Sequence, residues 1–270
     1  MMTMIATTIL LLFSVATIDV QAGQAGDYEN PIQVGWIDGM NSVAYQIDLE
    51  SALRKNLDME LIPYQTKYYA DGRPDSPPSQ FYDSLDVLLV SIEAENTDSY
   101  RLGNDVARFL VASNRCVIVT HQSLNKPALT GDWKPYTCMV PPETGGAGNS
   151  FANLSLGDYD KDSRLMQGVD TFAGSFRASK LATNTEACVW HANWSDGTPL
   201  AATHRTAPVV YLNFYPVGTV GGMTFYNPET DAAVLLRNAV YWCMEQTQQQ
   251  QQQEANAQGN EEGETKGDEL

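Results

Sequence analysis

Leu85-Asp-Val-Leu-Leu-Val-Ser-Ile92, then Ser99 to Ala112, then Cys116-Val-Ile-Val-Thr120: this stretch of the 270-residue chain decides the fold. The outer runs are almost continuously apolar, and the middle one has the length and pattern of a helix. A strand without polar alternation is buried on both faces, which is the mark of a parallel sheet covered by helices. Toward the N-terminus the same unit repeats. Ile32-Gln-Val-Gly-Trp-Ile37 reads as a strand stopped by Asp38-Gly39. Asn41 or Ser42 can cap a helix over Val43 to Leu57, with Val43, Ile47, Leu49, Leu53 and Leu57 near helical spacing. Met59 to Tyr64 gives another strand, and Asp71 to Ser79 a loop.

Toward the C-terminus, residues 125 to 155 read as an irregular excursion around Pro141-Pro142 and Gly145-Gly146. Ala187 to Trp194, the turn Asp196-Gly197 and Pro199 to Thr203 form a hairpin pattern. Val209 to Phe214 is a further strand, and Asp231 to Met244 a closing helix with Ala233, Leu236, Ala239, Val240 and Cys243 on one face. Beyond it the glutamine run extends the helix and frays, and with the acidic segment it holds too few apolar residues for a core, so 247–270 reads as a disordered tether.

The ends predict a compartment. Ile5 to Ala16 is apolar but shorter than the ~20 residues a membrane helix needs. With Val20-Gln21-Ala22 behind it, 1–22 reads as a signal peptide, leaving no membrane span after cleavage. Gly267-Asp268-Glu269-Leu270 is similar to the Lys-Asp-Glu-Leu address read by the retrieval receptor of the endoplasmic reticulum. The expectation is one domain over 23–246 in the lumen of the endoplasmic reticulum. Asn153-Leu-Ser155 and Asn193-Trp-Ser195 are glycosylation sequons in polar, loop-like sequence. Cys116, Cys138, Cys188 and Cys243 predict two disulfides there, with three pairings open. No C-x-x-C is present, so thioredoxin-type exchange is excluded. A formal charge of −17, with 16 basic residues scattered mostly singly, argues against nucleic acid as a partner.

The strand order, with Ser163-Arg-Leu-Met-Gln-Gly-Val-Asp170, Trp194-Ser-Asp-Gly-Thr-Pro-Leu-Ala201 and Val209-Val-Tyr-Leu-Asn-Phe-Tyr-Pro216, resembles the class I glutamine amidotransferase-like superfamily. The likeness is strongest to its trehalose-utilisation-like, non-amidotransferase branches and spans about Ile32 to Cys243. It implies an α/β, flavodoxin-like three-layer sandwich with a mostly parallel central sheet. An amidotransferase of this kind needs a Cys on a Gly-x-Cys-x-Gly turn after the fourth strand, and a His and a Glu after a later one. Here the fourth strand runs into Thr120-His-Gln-Ser123, Cys116 starts that strand at the opposite edge, and Tyr215 and Val217 stand at the His and Glu positions. Glutaminase chemistry is therefore not expected.

Ligands of open parallel sheets bind at the carboxyl ends of the strands. The ligand-binding candidates there are Asp38, Glu93, His121, Gln122 and Tyr215, with Glu95 and Ser123 beside them. Asp38, Glu93 and His121 suit a divalent metal chemically. Glu93 with Asp38 or Glu95 can serve as the acid and base of a hydrolase acting on sugars or glycans, and Ser123 with His121 or His204 as a nucleophile pair. Trp133, Tyr136, Trp190 and Trp194 can stack on sugar rings if exposed. No cofactor, metal or catalytic residue is assigned. The reading that carries most weight is a non-catalytic binding or scaffolding protein for glycans or secretory proteins, with the sugar hydrolase as its alternative.

Overall fold

The computed structural model describes residues 30–39, 43–54, 59–65, 77–92, 98–112, 115–125, 129–141 and 148–264. The first part is built from β1 (Ile32–Asp38), α1 (Val43–Leu53), β2 (Met59–Gln65), α2 (Ser79–Asp83), β3 (Val87–Ser91), α3 (Ser99–Ala112), β4 (Cys116–Thr120) and α4 (His121–Asn125). A 3-10 turn over Gly131–Tyr136 leads to β5 (Met139–Val140), β6 (Asn149–Ser150), β7 (Leu154–Tyr159), β8 (Ala173–Gly174), β9 (Arg177–Ala178) and β10 (Ala182–Thr183). The hairpin β11 (Cys188–Trp194) and β12 (Pro199–His204) follows, then β13 (Val209–Leu212), β14 (Thr219–Val220), β15 (Met223–Thr224) and α5 (Ala232–Glu264).

Nine strands form the main sheet in the order β2-β1-β3-β4-β13-β12-β11-β7-β8. The first five are mutually parallel, and the last four are added antiparallel. This is an α/β fold with a mostly parallel core, as the opening stretch predicts. The reason is visible in β3. Val87 and Leu89 enter one apolar cluster, with α1 and α5, while Leu88 and Val90 enter the other, with α3. β4 divides likewise, Cys116 and Ile118 against Val117 and Val119. Both faces are covered, so both sets of side chains must be apolar. Asp98 caps α3, its carboxylate accepting from the Arg101 backbone N–H at 3.1 Å.

Both disulfides form: Cys116–Cys243 ties β4 to α5, and Cys138–Cys188 ties the segment before β5 to β11.

Three expectations change. In α1 the buried stripe is Tyr45, Leu49 and Leu53, while Val43 and Ile47 face solvent. Residues 125–155 are not irregular throughout, because the 3-10 turn and three short strands lie within them or begin there. The tether expected from 247 is helical as far as Glu264. Glutamine is a good helix former, and each added residue extends an already nucleated helix by one hydrogen bond. Thr247 is still buried, and its hydroxyl donates to the Cys243 carbonyl at 3.1 Å. Residues 1–22, the four-residue C-terminal address and Lys266 lie outside the described residues. No helix among the described residues is long and apolar enough to cross a membrane.

Candidate functional site

Parallel pairing sets the register of the carboxyl edge. Asp38 lies opposite Ser91, and Thr120 opposite Leu212, so the ends of β1, β3, β4 and β13 share one edge. The sheet order reverses direction between β1 and β3, the point at which such sheets make a crevice.

Asp38 is buried there, and its carboxylate accepts from the Tyr215 hydroxyl at 3.0 Å. Burial, then the Asp38 charge, pushes the phenol well above its ordinary value, so Tyr215 stays a neutral donor. Its ring packs edge-on to Tyr45 and Phe176 and lies 5.0 Å from Phe225. Asp38 and Tyr215 thus form one unit.

His121 follows β4 directly and is completely buried. Its Nε2 lies 2.9 Å from Asn149 Oδ1, its ring centroid lies 4.3 Å from that of Phe176, and its Nδ1 has no hydrogen-bond partner. Burial lowers its pKa to about 3, so the ring is neutral at physiological pH. Hydrogen bonds from Asn149 and from the Arg177 backbone oppose that fall without overcoming it.

β6, which supplies Asn149, pairs with β9, which supplies Arg177. Arg177 is 3% exposed. It donates through Nη2 to Asp196 at 2.7 Å and sits over the Trp194 ring at 5.7 Å, while its Nε and Nη1 have no partner. Burial of Asp196 opposes its charge, but hydrogen bonds from Thr198 and the Arg177 guanidinium outweigh this and lower its pKa. Asn213 organises the edge from β13, its side chain accepting from Ala178 N–H and donating to the carbonyls of Ala178 and Pro199.

The other candidates fare differently. The Ser123 hydroxyl bonds to the carbonyls of Val90 and Ile92 and accepts from the Ile92 N–H, so it is a fastening of β3 to α4. His204 lies away from it, bonded to the Pro135 carbonyl at 3.2 Å. Glu93 and Glu95 lie outside the described residues, as does the Gln122 side chain. Among the described residues no three His, Cys, Asp or Glu side chains come together to hold a metal. Trp133 and Trp194 are buried in the core, which removes them as sugar platforms, while Tyr136 and Trp190 are half-buried. Asn193 lies in β11 rather than in a loop, and its side-chain oxygen accepts from the Trp190 indole at 2.8 Å. Asn153 is exposed. Arg177, the residue sequence reasoning missed, sits in a segment without periodicity; its only sequence signal is a charge between Phe176 and Ala178.

The two buried histidines predict an acid-labile fold. His191 is held between the hydroxyls of Ser163 and Thr203, and burial lowers its pKa to about 4. Both rings stay neutral when folded but protonate near 6.5 once unfolded, so the unfolded state binds more protons in acid. Stability is complete above that value and falls with pH, by about 1.4 kcal/mol per unit for each histidine. Urea unfolding at pH 5 is expected to show about 2 kcal/mol less stability per histidine than at pH 7. An H121Q/H191Q variant is expected to flatten that slope, and an unaltered slope would show that neither ring is buried neutral.

No known family profile matches the chain, and no curated protein matches it. Solved structures do. A candidate ThuA-like protein from Parabacteroides merdae aligns over 80% of this chain and 90% of its own, at 12% identity and a TM-score of 0.60. A candidate GMP synthase component from Thermoplasma acidophilum aligns over 83% of this chain and all of its own, at 10% identity and a TM-score of 0.54. The chain shares the α/β fold of these two structures, with its large, mostly parallel central sheet. At such identities the likeness concerns the fold alone.

Proposed function

We propose that the chain is a binding protein of the endoplasmic reticulum lumen, with the amidotransferase-like fold but without amidotransferase chemistry, and that it holds a hydroxyl-rich ligand such as a glycan at the carboxyl edge of the sheet. The observation that carries this is the set of buried polar atoms without a hydrogen-bond partner just beneath that edge, His121 Nδ1 and Arg177 Nε and Nη1. An unsatisfied buried polar group costs about 1–3 kcal/mol. A hydroxyl both donates and accepts, so a polyol matches the arginine donors and either tautomer of the imidazole. Among the described residues, the groups that thiol, hydroxyl or phenol chemistry would need are committed elsewhere. Cys116 is in a disulfide at the amino edge, Ser123 fastens the backbone, and Tyr215 is bonded to Asp38. Two disulfides and the terminal signals support the lumenal setting. A client secretory glycoprotein would present the ligand.

Thermal melting of the purified protein with a panel of neutral oligosaccharides tests the reading. A saturable rise that Arg177→Met abolishes is expected, together with no ammonia release from glutamine. No response to any sugar, or glutamine hydrolysis that His121→Ala removes, would overturn it. In secretory cells, deletion of Gly267 to Leu270 is expected to send the protein to the medium, with glycan on Asn153 and not on Asn193.

A further inference from the structure

At the opposite edge of the sheet lies a cavity of about 430 Å³ between α2 and α3, lined in part by Tyr82, Arg101, Asp105, Arg108, Phe109 and Arg115. That volume is in the range of small-molecule sites. Its composition departs from the rest of the chain. The three arginines recur at intervals of seven, two on α3 and one just before β4, and they meet in a molecule whose formal charge is −17.

Their guanidinium groups differ in what holds them. Arg115 donates through Nη1 to the Tyr82 carbonyl at 2.6 Å and through Nη2 to the Asp83 carbonyl at 3.0 Å, and it lies 5.5 Å over the Phe109 ring. It is a fixed positive wall. Arg108 and Arg101 both reach the same carboxylate, Asp105, at 3.0 and 4.0 Å. One carboxylate neutralises one of the two. Both side chains are largely exposed, so their other N–H groups are open to a ligand. The Tyr82 hydroxyl is buried without a partner, and burial, with the nearby Asp105 charge, raises its pKa, so it remains a donor. Counting Asp83 as well, the lining carries three positive charges against two negative.

We propose that this cavity is a second binding site, for a small organic anion: a carboxylate or phosphate attached to a flat apolar body. The anionic group sits between Arg101 and Arg108, where guanidinium donors match its planar or tetrahedral oxygens. The flat body rests against Pro77, Pro78 and Phe109. The site is separate from the one around His121 and Arg177, since its lining comes from α2, α3 and Arg115 just before β4 and includes none of the residues that surround those two side chains.

Calorimetric titration of the full chain with phenyl phosphate and with benzoate tests this, with benzyl alcohol as the neutral body and inorganic phosphate as the bare anion. Saturable binding of at least one aryl anion is expected, weakened tenfold or more in an R101Q/R108Q variant and by raised salt. Both positions are on the surface, so the variant is expected to melt where the parent does. Whichever aryl anion binds more tightly identifies the natural headgroup. Absence of binding, equal binding of benzyl alcohol, or an R101Q/R108Q variant with undiminished affinity would overturn the proposal. Arg177→Met is expected to leave this binding unchanged, which separates its failure from that of the sugar site.

Discussion

A C116A/C243A variant is expected to melt roughly 10–20 °C below the parent. The bond joins residues 127 apart in sequence. Closing a loop of that length removes about 5 kcal/mol of conformational entropy from the unfolded chain, on the chain-entropy account. Both cysteines are fully buried, one at the start of β4 and one on α5, so the bond also fixes the last helix to the centre of the sheet. The second disulfide closes a loop of 50 residues, and its removal is expected to cost somewhat less, about 4 kcal/mol. Differential scanning calorimetry of both variants decides the order. A drop of under about 2 °C for C116A/C243A would show that the two sulfurs are not joined in the folded protein.

Asp196→Ala is expected to destabilise the fold by about 3 kcal/mol, while Arg177→Met is expected to change stability by less than about 1 kcal/mol. The asymmetry follows from burial. Arg177 is enclosed and Asp196 is partly solvated. Removing the carboxylate strands a guanidinium that already leaves two nitrogens unpartnered. Removing the guanidinium frees Asp196 to water and puts an apolar chain over Trp194. The R177M/D196A double variant should therefore be more stable than D196A alone. Chemical unfolding of the three variants checks this, and a D196A cost under about 0.5 kcal/mol would mean that Arg177 is not charged and enclosed. Arg177→Met is also the variant expected to lose sugar binding, so stability and binding separate in one protein.

The parallel half was legible because its signal is simple. β3, α3 and β4 bury apolar residues on every face they turn inward, and Ser99 to Ala112 matches the helix residue for residue. The α1 stripe was misread because Val43 and Ile47 are apolar yet exposed, and only the packing of Tyr45 shows which side faces the sheet. The placement of Asp38, His121 and Tyr215 at one edge was legible because parallel topology alone sets it. Arg177 was not, because its burial depends on β9, a strand of two residues whose position is set by Asn213 and by β6. The arginine cavity escaped for a related reason: residues seven apart look scattered in sequence until the helix carrying two of them is packed beside the third.

The position of β4 bears on how the chain is made. Its Val117 pairs with Val209, which leaves the ribosome about 90 residues later. At roughly 5–20 residues per second, that delay lasts on the order of 5–20 seconds. Throughout it, Cys-Val-Ile-Val-Thr has one side of its backbone without a neighbour strand, and Cys116 has no Cys243 to meet. An apolar strand with an open edge is a template for joining another chain. Biosynthesis of this protein therefore contains a timed vulnerability, closed only when β13 docks and α5 arrives to be oxidised. Mutations that slow the docking of β13 are expected to lower yield without altering the finished molecule.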